Sequence, residues 1–325
     1  MDGIGSGQSI RSSVCNFWSN FLIFQHSNFP ISNLQPSILT SIPSQCFLGE
    51  GPLWHSERRS FFWVDIEKGN LFEYHPATRV TRTRHFPHRL TVVLEGQDRK
   101  LILGLDCKLA RFDLETEQLE WLCEVEIDMP LHRFNDGKVD AKGRIWIGTL
   151  STKFTDGAGT LYRVDSALQP VRMLSDLTIS NGMAWSADAK TFYFIDTPTR
   201  QIREYDFNLE TGEIELKRVA VEVPQELGFP DGMCIDREGM LWVGHYGGSG
   251  VYRWNPLTGE LLDKIELPVP HVTSCCFGGE DMDTLLITTA QENLSSEDLV
   301  RYPHSGDVFL VKVKVPGYPS KLAEM

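Results

Sequence analysis

From Cys46 onward the chain alternates short apolar runs with clusters of polar and small residues. Six runs stand out: "SFFWVD" from Ser60, "KLILGL" from Lys100, "RIWIGT" from Arg144, "TFYFID" from Thr191, "MLWVGH" from Met240 and "TLLITT" from Thr284. Each is rich in β-branched and aromatic residues, and each follows a polar turn such as "HSERR", "DAKG" or "DREG". That combination predicts a buried strand bounded by turns. Another strand-like run follows in every unit, including "NLFEYH", "KLARFD", "TLYRVD", "QIREYD", "GVYRWN" and "DVFLVK". No helical period of useful length interrupts the pattern.

Successive runs start 40, 44, 47, 49 and 44 residues apart. A recurrence near 45 residues matches one four-stranded propeller blade per unit. The sequence therefore predicts an all-β chain folded as a six-bladed β-propeller, whose closure protects the sheet edges. A β-sandwich or a pair of small barrels leaves the recurrence unexplained, and no Gly-His and Trp-Asp pair repeats as in the WD40 subtype. Residues 1–43 are nearly uncharged, rich in Ser, Asn and Gln, and aperiodic. They are expected to form a poorly ordered N-terminal extension, with the propeller spanning 44–325.

In a propeller, the first strand of each blade runs beside the central channel. Here those strands open with Gly49-Glu50-Gly51-Pro52, Arg133-Phe134-Asn135-Asp136-Gly137, Ser180-Asn181-Gly182 and Pro230-Asp231-Gly232 in blades one, three, four and five. Blades two and six offer Thr91-Val92 and Thr273-Ser274. Asn-Gly and Asp-Gly are favoured turn pairs, which is the plain explanation of any one of them. Four at one repeat position converge on one axis. Side-chain oxygens without Cys or His suit one hard divalent cation, so Ca²⁺, Mg²⁺ or Mn²⁺ fits better than a structural zinc, with Zn²⁺ kept among the ions to test.

Composition adds exclusions. The formal net charge is −13 and no basic run offsets it, so nucleic acid is not an expected partner. No apolar run reaches the roughly 20 residues of a membrane helix. The segment "FWSNFLIF" from Phe17 is short, broken by Asn20, and makes a poor signal peptide. Seven cysteines without a C-x-x-C pair point to reduced thiols in a cytoplasmic protein. No G-x-S-x-G elbow and no H-E-x-x-H occurs; "GGSGV" at Gly247 lies in a turn, and His132 and His245 are expected to be structural.

The strings "GEGPLW", "RFNDGKVD", "SNGMAWS", "FPDGMCID" and "TSCCFGG" resemble the senescence-marker-protein, gluconolactonase and luciferin-regenerating-enzyme family over residues 44 to 325. The resemblance implies a six-bladed propeller with a metal-dependent lactonase site on its axis and a small sugar lactone as partner. It implies Glu50, Asn181 and Asp231 as metal ligands, Arg133 and Asn135 as substrate contacts, and Asp231 also as general base. Lys153 is the third substrate-binding candidate; it falls where regucalcin-like members carry a substrate-touching glutamate, so this chain departs from the pattern there. The residues leave open whether Asp231 acts through its free oxygen or a hydroxide held by the ion attacks. Two other readings keep the fold: a metal-dependent phosphotriesterase, and a non-catalytic calcium-binding or interaction propeller.

Overall fold

The computed structural model describes residues 38–325. The "FWSNFLIF" segment, Cys15 and residues 1–37 of the expected extension lie outside the described residues. The first described element is β1 (Ile38–Ile42). The first sheet then runs β2 (Gly49–His55), β3 (Ser60–Asp65), β4 (Asn70–His75) and β5 (Val80–His85). The second runs β6 (Leu90–Glu95), β7 (Leu101–Leu105), β8 (Lys108–Phe112) and β9 (Leu119–Glu124). The third runs β10 (His132–Val139), β11 (Ile145–Ser151), β12 (Gly159–Val164) and β13 (Val171–Leu177). The fourth runs β14 (Ser180–Trp185), β15 (Thr191–Asp196), β16 (Gln201–Phe207) and β17 (Ile214–Glu222). The fifth runs β18 (Phe229–Ile235), β19 (Leu241–Tyr246), β20 (Gly250–Trp254) and β21 (Leu261–Glu266).

The sixth sheet holds β22 (Val272–Gly278), β23 (Thr284–Thr289) and β24 (Val308–Lys312), and takes its outer strand from β1. All strand pairings within the six sheets are antiparallel, with Thr40 opposite Leu310 and Ile42 opposite Val308 in the sixth. Among the described residues this is six four-stranded sheets, a six-bladed β-propeller as expected. The boundary at residue 44 is set too late. Ile38–Ile42 belongs to the sixth blade, because the edge of β24 needs a backbone partner. A short helix, α1 (Ser296–Arg301), sits in the connection between β23 and β24, capped by Ser295.

The inner strands touch in cyclic order, β2 to β6, β10, β14, β18, β22 and back to β2. The core lies between blades. Trp54, Phe61 and Trp63 of the first pack with Cys275, Leu285 and Phe309 of the sixth, and Phe62, Val64 and Leu71 pack with Leu90, Leu101 and Leu103 of the second. Burying each such side chain contributes about 1.5–3 kcal/mol. The Gly in "IGT" and "VGH" permits this closeness: a Cβ on Gly148 would strike the side chain of Ser180, and one on Gly244 would lie 2.7 Å from the Thr273 carbonyl oxygen. The six described cysteines are free. Among the described residues no helix is long and apolar enough to cross a membrane.

Candidate active site on the propeller axis

Each inner strand breaks register near its start. The irregularities fall between Glu50 and Leu53, Leu90 and Val92, Phe134 and Gly137, Asn181 and Met183, Pro230 and Met233, and Val272 and Ser274. A bulge of this kind ends regular pairing and re-aims side chains, which is why bulges gather at barrel rims and active sites. Gly51 takes its place in the first with φ of 54°, a conformation natural to glycine. Three blade seams are stitched at this level: Asn135 Nδ2 donates to the Ser180 carbonyl, Thr197 Oγ1 to the Pro230 carbonyl, and Thr273 Oγ1 to the Gly49 carbonyl.

The result is a cavity of about 50 Å³ lined by Glu50, Arg133, Asn135, Asn181 and Asp231. Five of the six residues singled out from sequence thus share one site. Lys153 does not line it: its side chain is exposed, and the neighbouring Phe154 lines the cavity instead. Sequence reasoning also missed Thr197, Tyr246 and Glu292, which come from connections or the far end of β19 rather than from the opening of an inner strand. The walls are apolar, formed by Leu48, Leu150, Ile179 and Phe229.

Glu50, Asn181 and Asp231 are buried, as is Arg133. Asn181 Nδ2 donates to Thr197 Oγ1 at 3.0 Å. That leaves Asn181 Oδ1 buried without a hydrogen-bond partner among the described residues, and Asp231 Oδ1 is in the same condition. Buried oxygens left so are costly unless something else satisfies them. Glu50 Oε2 accepts from the Gly51 N–H at 3.0 Å. Burial, reinforced by the charge of Asp136, raises the Glu50 carboxyl well above the usual range. Burial also raises Asp231, with Glu50 and Asp136 adding to it and Asn181 pulling the other way. The site is therefore short of positive charge.

Arg133 only partly offsets this. Its Nη1 donates to Asn135 Oδ1 and to the Phe134 carbonyl, both at 2.8 Å, and its Nε lies 3.7 Å from Glu67 Oε1. Burial lowers its pKa, with Glu67 and Glu292 acting against that shift. The backbone carbonyl of Glu292 accepts from His271 Nδ1 and from the Tyr246 hydroxyl, both at 2.9 Å, which pins the loop carrying the Glu292 carboxyl. His132 and His245 lie outside the cavity lining. His132 Nδ1 pairs with Glu126 Oε2 at 2.7 Å, and His245 is buried against Leu227 and Trp254.

Two carboxylates and one amide oxygen, two of them partnerless, fit a hard divalent cation. Among the described residues no three His, Cys, Asp or Glu side chains are grouped to hold a metal, so the set requires the Asn181 amide as its third donor.

A family model described as the SMP-30/gluconolactonase/LRE-like region matches residues 48–291. The chain belongs to that family. It is 34% identical to regucalcin of Oryctolagus cuniculus over 284 residues, covering 86% of this chain and 95% of the relative. A Bacillus subtilis protein named "Putative sugar lactone lactonase YvrE" is 33% identical over 275 residues, covering 85% and 94%. A solved structure of regucalcin from Agrobacterium tumefaciens, described as a calcium-binding protein, superposes with a TM-score of 0.85 at 27% identity, covering 89% and 98%. The matched region includes the opening of every inner strand of this SMP-30/gluconolactonase/LRE member.

Proposed function

We propose that this protein is a divalent-cation-dependent hydrolase that opens a hydroxylated sugar lactone to the corresponding acid. One observation carries the reading: Asn181 and Asp231 each hold a buried oxygen without a hydrogen-bond partner among the described residues, and both line a cavity that Glu50 shares. Family membership and the lactonase and calcium-binding descriptions of its relatives support it. Glu50, Asn181 and Asp231 would hold the cation, which when bound supplies Lewis-acid polarisation of the lactone carbonyl and offsets the charge that builds on its oxygen.

The chain's own groups do the rest. Asp231 takes a proton from the attacking water and returns one to the ring oxygen as its bond to the carbonyl carbon breaks, leaving the hydroxy acid. Arg133, fixed by Asn135 and the Phe134 carbonyl, offers its remaining N–H groups to ring or hydroxyl oxygens and holds the lactone in place. The apolar walls limit water around the reacting carbonyl. Lys153, exposed outside the cavity, takes no part in this scheme.

The experiment is a hydrolysis screen of sugar lactones, unsubstituted lactones and a neutral phosphotriester with Ca²⁺, Mn²⁺, Mg²⁺ or Zn²⁺. Preference for a hydroxylated lactone, lost on chelation and restored by an ion, is the expected result. Faster turnover of the phosphotriester would replace the substrate assignment. Cation binding without turnover of any ester would leave a binding propeller.

A further inference from the structure

Farther along the inner strands from the candidate site lies a second cavity of about 300 Å³, against about 50 Å³ for the first. The openings of the inner strands line the small cavity, and later residues of the same strands line the large one, among them Leu53, Val93, Met183, Trp185 and Phe277. We propose that this larger chamber is a second binding site, taking a small uncharged molecule with an apolar body and a hydroxyl group. This is independent of the lactonase reading.

The volume falls at the lower end of the range of small-molecule sites, and the lining has their character, apolar with few polar groups. Most of those polar groups are already engaged. Glu95 Oε1 lies 3.2 Å from His55 Nδ1. Asp140 accepts from Arg144 and from the Trp146 indole. Lys138 Nζ donates to the Met233 carbonyl. Among the buried polar atoms of the lining, two have no hydrogen-bond partner among the described residues. Asp136, only 6% exposed, accepts from the Gly137 N–H through Oδ1, while its Oδ2 is buried and has no partner among the described residues. The Trp185 indole N–H is likewise buried and without one. A ligand hydroxyl could serve either atom, giving a hydrogen bond to the Asp136 carboxylate or taking one from the Trp185 indole. Taking a net charge out of water into this largely apolar chamber would be costly, which favours an uncharged ligand.

A strap of chain also covers the chamber. The chain after β24 is tied on one side by Gly317 N–H to the Met282 carbonyl and Arg237 N–H to the Pro316 carbonyl. On the other side Ala323 N–H donates to the Glu95 carbonyl and Glu324 N–H to the Gly143 carbonyl. Between these anchors, residues 318–321 line the chamber and make no backbone hydrogen bond to the described residues. A strap fixed at its ends and free in its middle can admit a ligand without loss of the fold.

The test uses the full chain and 4-propylphenol as probe. Titration should show saturable one-to-one binding, and NMR should show a shift of the Trp185 indole N–H resonance, assigned with Trp185→Phe. Ala184→Leu and Cys276→Leu, which add bulk to the lining, should each weaken binding about tenfold or more. Asn181→Ala, in the smaller cavity, should leave it unchanged. No saturable binding, no shift of the Trp185 resonance, or binding removed by Asn181→Ala but kept by both filling variants would overturn the proposal.

Discussion

The amide of Asn181 is held by Thr197: its Nδ2 donates to Thr197 Oγ1 at 3.0 Å, and that hydroxyl in turn donates to the Pro230 carbonyl at 3.0 Å, one residue before Asp231. One hydroxyl therefore sets the orientation of one proposed ligand and the backbone that presents another. Thr197→Val keeps the shape and removes both bonds. Supporting partners of metal ligands are typically worth about 10- to 100-fold. Cation affinity and turnover should both fall by that factor, read by calorimetry and lactone hydrolysis. An unchanged affinity would mean that the amide needs no such guide.

Asp231→Asn keeps an oxygen and nearly the same volume but removes the basic carboxylate. General-base catalysis contributes about 10² to 10⁴ in rate, so turnover at saturating cation should drop at least about a hundredfold, with binding weakened but still saturable. Near-normal turnover in this variant would restrict Asp231 to holding the ion. Asn181→Asp is the contrasting control, expected to tighten cation binding without raising turnover.

The third prediction concerns β1. Removing residues 1–43 takes away the outer strand of the sixth sheet, whereas removing residues 1–36 leaves it. Loss of the strand uncovers the backbone edge of β24 and should lower the thermal midpoint by about 5 °C or more, a few kcal/mol for a chain of this size. The shorter truncation should match the full chain. Equal midpoints for the two truncations would show that the pairing contributes little.

His245 provides a pH test. Its Nδ1 donates to the Leu227 carbonyl at 2.8 Å and its Nε2 accepts from the Trp254 indole at 3.3 Å, so the neutral ring is fully used. Burial pulls its pKa down to about 3, and a second N–H would face the indole donor. Between the usual value near 6.5 and about 3, the unfolded chain binds the proton and the folded chain does not. Stability from this residue is therefore present above about 6.5 and is lost progressively as pH falls toward 3. Raised carboxyls such as Glu50 act in the opposite sense, gaining stability as pH falls through their folded values. The difference between the wild type and His245→Phe isolates the histidine: denaturant midpoints should fall less steeply from pH 7 to pH 4 in the variant. Parallel slopes would contradict this.

The second strand of every blade was readable because both faces are buried, so β3, β7, β11, β15, β19 and β23 appear as nearly continuous apolar runs. The outer strands were not. Val80–His85 and Val171–Leu177 lie largely in solvent and carry Thr, Arg, Ser and Asp, so their pairing leaves little apolar period. β1 was hidden for a related reason. It belongs to a blade whose other strands lie at the opposite end of the chain, and no local repeat marks it. At the axis, Glu50, Asn181 and Asp231 were visible because each bulge places a glycine beside an oxygen-bearing side chain. Glu292 and Tyr246 reach the cavity through tertiary folding, held by His271 and by each other, and nothing in their neighbours' spacing announces them.

The closure of the sixth blade also constrains how the molecule is made. Ser44, just after β1, donates its N–H to the Asp307 carboxylate, just before β24, across 263 residues of chain. On the ribosome the first of these segments must wait while five blades are synthesised before its partner emerges. Contacts so distant in sequence are slow to form, and an open strand edge is exposed to wrong pairing until they do. The ring's last joint is thus a timer: the cavity that gathers residues from blades one, three, four and five gains its final geometry only after nearly the whole chain has been released.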